Sequence, residues 1–140
     1  MSYTTNFQLY ELGKKLNISI KGIYNKDYFH LLDDPKSGEC FIVNLADSDE
    51  PGTHWTAIYF YGNYAYYFDS YGFREPVEIS KFIKRYTAKL LSSDKQIQSV
   101  RSGYCGWYCI AFLYHMINSK LPKIQAFKQF LSMYDDYDKK

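Results

Sequence analysis

The stretch "HWTAIYFYGNYAYYFDSYG", residues 54–72, holds two runs rich in aromatic and β-branched residues, separated by Gly62-Asn63. Such runs fit the pleated, half-buried surface of a sheet, and a two-residue Gly-Asn connection suits a tight hairpin turn. The stretch predicts antiparallel strands at about 54–61 and 64–70. A two-residue turn also sets the register, placing Tyr61 opposite Tyr64 and Thr56 opposite Asp69. His54 lies two residues from Thr56, so it shares a face with Asp69 as its diagonal neighbour, at ~7–8 Å between backbones. Taken alone, this is a cross-strand polar pair of a common kind. A carboxylate beside an imidazole also fixes its tautomer and favours the imidazolium, as a general base serving a nucleophile requires.

Upstream of the hairpin, "CFIVNLA" (40–46) is a continuous apolar run of strand length bounded by turn residues, and it predicts a buried strand. "YFHLLDDPKSGE" (28–39) reads as a loop because of its Asp-Asp-Pro and Ser-Gly elements. "NFQLYELGKKL" (6–16) spaces Phe7, Leu9, Leu12 and Leu16 as a short helix would. Downstream, residues 75–92 carry Val77, Ile79, Phe82, Ile83, Tyr86, Leu90 and Leu91 at helical spacing, with Pro76 suited to a first turn. A short strand is expected at "QIQSV" (96–100). "CGWYCIAFLYHMIN" (105–118) reads as a buried helix, and Pro122 opens a last helix ending near Tyr134, before the polar "DDYDKK". The expected fold class is α+β: a small, mostly antiparallel sheet of four or five strands, packed on the helix that starts at Cys105.

Composition bounds the function. With 140 residues, 46% of them hydrophobic, the chain can bury a core as one domain spanning 1–140. A net charge of +2 leaves no electrostatic footprint for nucleic acid or an anionic membrane. No apolar stretch has the ~20 residues that span a bilayer, and Met1–Tyr10 lacks the apolar centre of a signal peptide. Three cysteines, Cys40, Cys105 and Cys109, are an odd set that argues against a disulfide framework and for a reducing compartment.

"QSVRSGYCGWYC" (98–109) places Cys105 between Gly103 and Gly106 at the start of an apolar helix. Unpaired N–H groups and the dipole at a helix N-terminus favour a thiolate, and a thiolate near an imidazolium is a working nucleophile. Gly103 and Gly106 would let a substrate backbone come close to the sulfur. Cys109, one turn on, is a rival nucleophile, but it lies deeper in the apolar helix and is expected to be structural, as is Cys40. Cys105, Cys109 and His115 match none of the usual zinc-ligand spacings. Gln98 could supply an amide donor that acts with the Cys105 N–H on a developing oxyanion. His30 and His115 are assigned no chemistry.

These motifs carry a family likeness. "GTHWTAIYFY", "YYFDSYGF" and "QSVRSGYCGWYCIAFLYHM" resemble the adenovirus-type maturation cysteine proteases (adenain) and, more distantly, the SUMO-specific proteases. The resemblance runs from "KGIYNKDYF" through the Cys105 helix, and compact relatives of this kind are typical of virophages and polinton-like viruses. It implies His54 as general base, Asp69 as its orienting carboxylate, Gln98 as oxyanion donor and Cys105 as nucleophile. Trp55 looks like the aromatic that lines the groove for small residues, often glycine, before the scissile bond. Asp69 stands where adenain has glutamate. The resemblance implies a monomeric viral endopeptidase that trims capsid or other virion precursors, located in the virion and the infected cell. Nothing in the sequence requires a metal or prosthetic group, while the resemblance brings with it activation by a viral peptide or DNA. An isopeptidase for ubiquitin-like modifiers and a non-catalytic scaffold are the alternative readings.

Overall fold

The central hairpin forms in the register its turn dictates. Strands β3 (Trp55–Tyr61) and β4 (Tyr64–Phe68) pair antiparallel, with Tyr61 opposite Tyr64 and Ala57 opposite Phe68. Gly62 takes the turn's left-handed conformation at φ +60°, which costs a glycine nothing. The computed structural model describes residues 5–46, 54–97 and 104–134.

Strand β2 (Cys40–Asn44) lies antiparallel to β3, from Cys40 opposite Tyr59 to Asn44 opposite Trp55, and all five of its residues are buried. Two further strands widen this antiparallel centre: β1 (Gly22–Asn25) runs parallel to β2 and β5 (Leu90–Ser92) parallel to β4. The order across the sheet is β1-β2-β3-β4-β5. The antiparallel character expected from the sequence therefore belongs to the centre, and both edges are parallel. Parallel neighbours need crossovers. A 3-10 turn (Lys26–Leu31) opens the first and runs into the residues read as loop, and α2 (Val77–Lys84) lies on the second.

Both faces of the sheet are covered. On one, Ile42, Ala57, Tyr66 and Phe68 pack against α1 (Asn6–Lys15), α3 (Cys105–Asn118) and α4 (Lys123–Ser132), through Leu9, Phe112, Leu113, Phe127 and Phe130. On the other, Phe41, Val43, Ile58 and Phe60 meet Phe29 of the 3-10 turn and Ile79, Phe82 and Ile83 of α2. Period-2 alternation along each strand sorts the side chains between these layers. Thr5 and Gln8 close a capping box at the start of α1, and the Tyr10 hydroxyl accepts the Ile23 N–H, tying that helix to β1.

Two expectations change. The helix expected over 75–92 ends at Lys84, and its expected last turn is instead a strand, Leu90–Ser92. The Thr87 hydroxyl donates to the Asn63 carbonyl and accepts the Lys89 N–H, turning the chain back along the hairpin. Leu90 and Leu91 then join β4 beside Ala65 and Tyr66. Their apolar spacing fits a helix as well as an edge strand, and tertiary pairing decides between them. Residues 96 and 97 are not strand, and 98–100 lie outside the described residues. Among the described residues no helix is long and apolar enough to cross a membrane.

Candidate active site

Three chain segments end at one place. His54 immediately precedes β3, Asp69 immediately follows β4, and Cys105 is the first residue of α3. The hairpin register carries the first two together: His54 Nε2 lies 2.7 Å from Asp69 Oδ1, with Asp69 wholly buried and His54 8% exposed. A carboxylate can only accept, so the ring proton facing it sits on Nε2 and the neutral ring keeps a lone pair on Nδ1. Nδ1 has no well-formed hydrogen bond among the described residues. It is the nitrogen left open to the Cys105 thiol, whose interaction with the ring adds to the ring's basicity. Burial alone would lower the His54 pKa, but the hydrogen bond to Asp69 and the interaction with the Cys105 thiol outweigh it and raise the value to about 9. The ring is therefore held as an imidazolium through neutral pH.

Cys105 is 2% exposed, and its sulfur accepts the Trp55 N–H at 3.3 Å. That donor lies on the residue after His54, so the start of β3 supplies both an imidazole and an N–H to one sulfur. α3 packs against β3 through its buried face, which includes Gly106, Cys109 and Phe112. Cys105 begins the helix, so it sits where backbone N–H groups lack intrahelical partners.

Other residues singled out from the sequence are placed as follows. The Trp55 ring belongs to the core at 7% exposure, and Gly106 is buried in the first turn of α3. Gln98 and Gly103 lie outside the described residues. Burial pushes the Cys109 thiol well above its ordinary range, and the Cys40 thiol to about 12. His30 is exposed, while His115 Nε2 faces the Ala126 carbonyl at 3.0 Å between α3 and α4. Among the described residues no three His, Cys, Asp or Glu side chains gather as a metal site.

Two contributors were not foreseen. Tyr71 stacks its ring on the His54 imidazole and donates its N–H to Asp69 Oδ1 at 2.8 Å. The signal for it was the Asp-Ser-Tyr-Gly run, a turn closed by the Gly72 N–H on the Asp69 carbonyl at 2.8 Å. The other is Ser93, which hydrogen-bonds the Asp69 backbone. It arrives from β5, and no local pattern marks it.

The sequence model of the adenovirus endoprotease family matches residues 20–130. The protease of Bovine adenovirus C serotype 10 is 28% identical over an alignment of 113 residues, covering 69% of this chain and 57% of that protein. The protease of Bovine adenovirus 2 is 29% identical over 94 residues, covering 56% of this chain and 46% of that protein. The chain thus spans about half the length of these curated relatives. Two crystal structures of the ASFV protease share the fold, at TM-scores of 0.51 and 0.50 with 17% and 18% identity. Each covers 96% of this chain and 68% of the other. The family match reaches from before β1 into α4 and takes in His54, Asp69 and Cys105, and on that extent the chain belongs to the adenovirus endoprotease family.

Proposed function

We propose that the chain is a viral maturation cysteine endopeptidase that cleaves capsid or other virion precursors at small or glycine-containing sites. The observation that carries the reading is the imidazole of His54 bonded to a buried carboxylate at 2.7 Å, with the Cys105 sulfur held at 3.3 Å by the N–H of the next residue, Trp55. With the thiol proton already held on His54, the Cys105 thiolate attacks the scissile carbonyl carbon. Negative charge moves to the carbonyl oxygen, where the Cys105 N–H and the Gln98 amide are assigned as donors. The imidazolium then protonates the leaving amine as the C–N bond breaks, giving a thioester and the first product. A water molecule loses a proton to His54 and adds to the thioester, and the C–S bond breaks to release the second product and restore the thiolate beside the imidazolium. Asp69 keeps the ring in the required tautomer throughout. Every step uses the chain's own groups. Trp55, nearly all of it buried, is assigned to the floor of the substrate groove, with Gly103 and Gly106 giving clearance beside the sulfur.

The same reading places a monomeric enzyme in the infected cell and virion, with a viral peptide or DNA as activator. The test is processing of a virion precursor co-expressed with wild type or Cys105→Ala, with and without candidate peptide and DNA. Cleavage by wild type alone is the expected result, and processing that persists in Cys105→Ala overturns the reading.

A further inference from the structure

The regular ladder between β3 and β4 ends at Ala57 opposite Phe68, one residue short of Asp69. Asp69 is wholly buried, so its main-chain N–H and C=O need partners that the ladder no longer provides. Ser93 meets both, sharing the carbonyl with the Gly72 N–H, which donates to it at 2.8 Å. The Asp69 N–H donates to Ser93 Oγ at 2.8 Å, and the Ser93 hydroxyl donates to the Asp69 carbonyl at 3.1 Å. One hydroxyl can do this because it carries a single proton and two lone pairs. The Ser93 N–H donates to the Tyr67 carbonyl at 3.0 Å, which holds the side chain at the end of β4. In effect the serine stands in for a neighbouring strand where the strand has run out.

The contact is part of a strap. The Ile97 N–H donates to the Ser70 carbonyl at 2.9 Å. Gly72 lies so close beneath that a Cβ there would come within 2.9 Å of the Lys95 carbonyl carbon and 3.0 Å of the Gln96 nitrogen. Residues 93–97 thus cross the 69–72 turn and lead, in sequence, to Gln98 and Cys105. The Asp69 carboxylate itself is bound on one side only: Oδ1 takes His54 Nε2 and the Tyr71 N–H, while Oδ2 has no hydrogen-bond partner among the described residues. With one oxygen unheld, the carboxylate's aim depends on how firmly its backbone is fixed.

We propose that Ser93, by bridging the N–H and C=O of Asp69, is a positioning residue that aims the Asp69 carboxylate at His54. The role rests on the peptidase reading above and extends it to a residue that touches neither substrate nor the reacting sulfur. The titratable groups around the pair are Cys105 and Cys109 of α3, Tyr67 of β4 and Tyr71 of the turn.

The test uses the full chain as wild type, Ser93→Ala, Asp69→Ala and the double variant. Iodoacetamide alkylation of Cys105 is followed across pH, with Cys40 and Cys109 as internal controls, beside kcat and KM on a cleavable peptide. The expected result is that Ser93→Ala moves the His54-dependent limb of the Cys105 profile to lower pH. It also lowers kcat by about tenfold, the effect of roughly one hydrogen bond, with KM unchanged. In the Asp69→Ala background the serine substitution changes nothing further. An unchanged profile in Ser93→Ala, or the same fold-loss in both backgrounds, overturns the role. Should Ser93→Ala fail to fold by circular dichroism, Ser93→Cys, of similar size and weaker hydrogen bonding, is expected to shift the profile in the same direction by less. A wild-type profile from Ser93→Cys then overturns the role. If Asp69→Ala moves the profile and Ser93→Ala does not, only the serine's role falls. If Asp69→Ala also leaves it unmoved, the peptidase reading falls and takes this proposal with it.

Discussion

The imidazole of His54 lies flat on the ring of Tyr71, with centroids 3.8 Å apart and planes within 7° of parallel. An imidazolium over an aromatic face gains about 0.5–2 kcal/mol according to how far both are desolvated, and here the imidazole is buried. Tyr71→Phe keeps the face and is expected to keep activity. Tyr71→Ala is expected to lower the His54 pKa and cut kcat by about fivefold, from about 1 kcal/mol of lost stacking. An NMR titration of the His54 ring beside turnover of a peptide checks both.

Stability should fall as the solution becomes alkaline. In the unfolded chain His54 titrates near its ordinary value of 6.5, and in the folded chain it holds its proton up to about 9. Below 6.5 both states carry the proton, and the folded state has the full benefit of the contact with Asp69. As pH climbs from there through about 9 the benefit is lost, amounting to about 3 kcal/mol at most for a shift of this size. Urea unfolding at pH values bracketing this window should show the decline. Asp69→Asn, which removes the charge that favours the imidazolium, should flatten it.

The three thiols should separate cleanly. Cys40 and Cys109 are wholly buried and their pKa values are raised, so they should resist alkylation until the protein unfolds. Cys105 should react in the native state, and Cys105→Ala should remove that reactivity with a small change in melting temperature. Cys109→Ser should do the reverse: a hydroxyl at this wholly buried position costs about 1–3 kcal/mol if it is left without a partner. Peptide mapping after limited alkylation, with thermal unfolding of each variant, reads both effects.

Two glycines should differ in what they tolerate. Gly62 and Gly72 both have positive φ, but no atom lies within 4 Å of a Cβ at Gly62, whereas at Gly72 it would strike the strap backbone. Gly62→Ala should therefore cost only the left-handed conformation, about 1–2 kcal/mol, and leave cleavage intact. Gly72→Ala should cost more and also shift the His54 titration, because the strap it displaces carries Ser93. Thermal melts with the same NMR titration separate the two.

The hairpin was legible because a turn of fixed length converts sequence position into spatial position, so His54 and Asp69 could be paired by counting alone. α3 was legible to the residue, since an unbroken apolar run closed by polar residues offers few other readings. Where sequence reading failed, the deciding partner was remote. Leu90 and Leu91 became an edge strand because β4 offered an open side, and β1 exists because β2 offered the other. Trp55 shows a third kind of limit: its side chain drew attention, while its main-chain N–H, common to almost every residue type, reaches the sulfur. Ser93 is unremarked in its own neighbourhood and takes on meaning only beside Asp69, twenty-four positions earlier.

His54 and Asp69 come from the middle of the chain, and Cys105 is joined to Trp55 across fifty positions of sequence. Synthesis runs from the N-terminus, so the ribosome releases imidazole and carboxylate first, in a hairpin able to close by itself on a microsecond scale. The sulfur follows, and α3 must then emerge far enough to bury its apolar face on β3. A nascent chain halted anywhere before that point holds an acid–base pair with no nucleophile. On the proposed reading, this order of the residues keeps the emerging chain inert until α3 has docked.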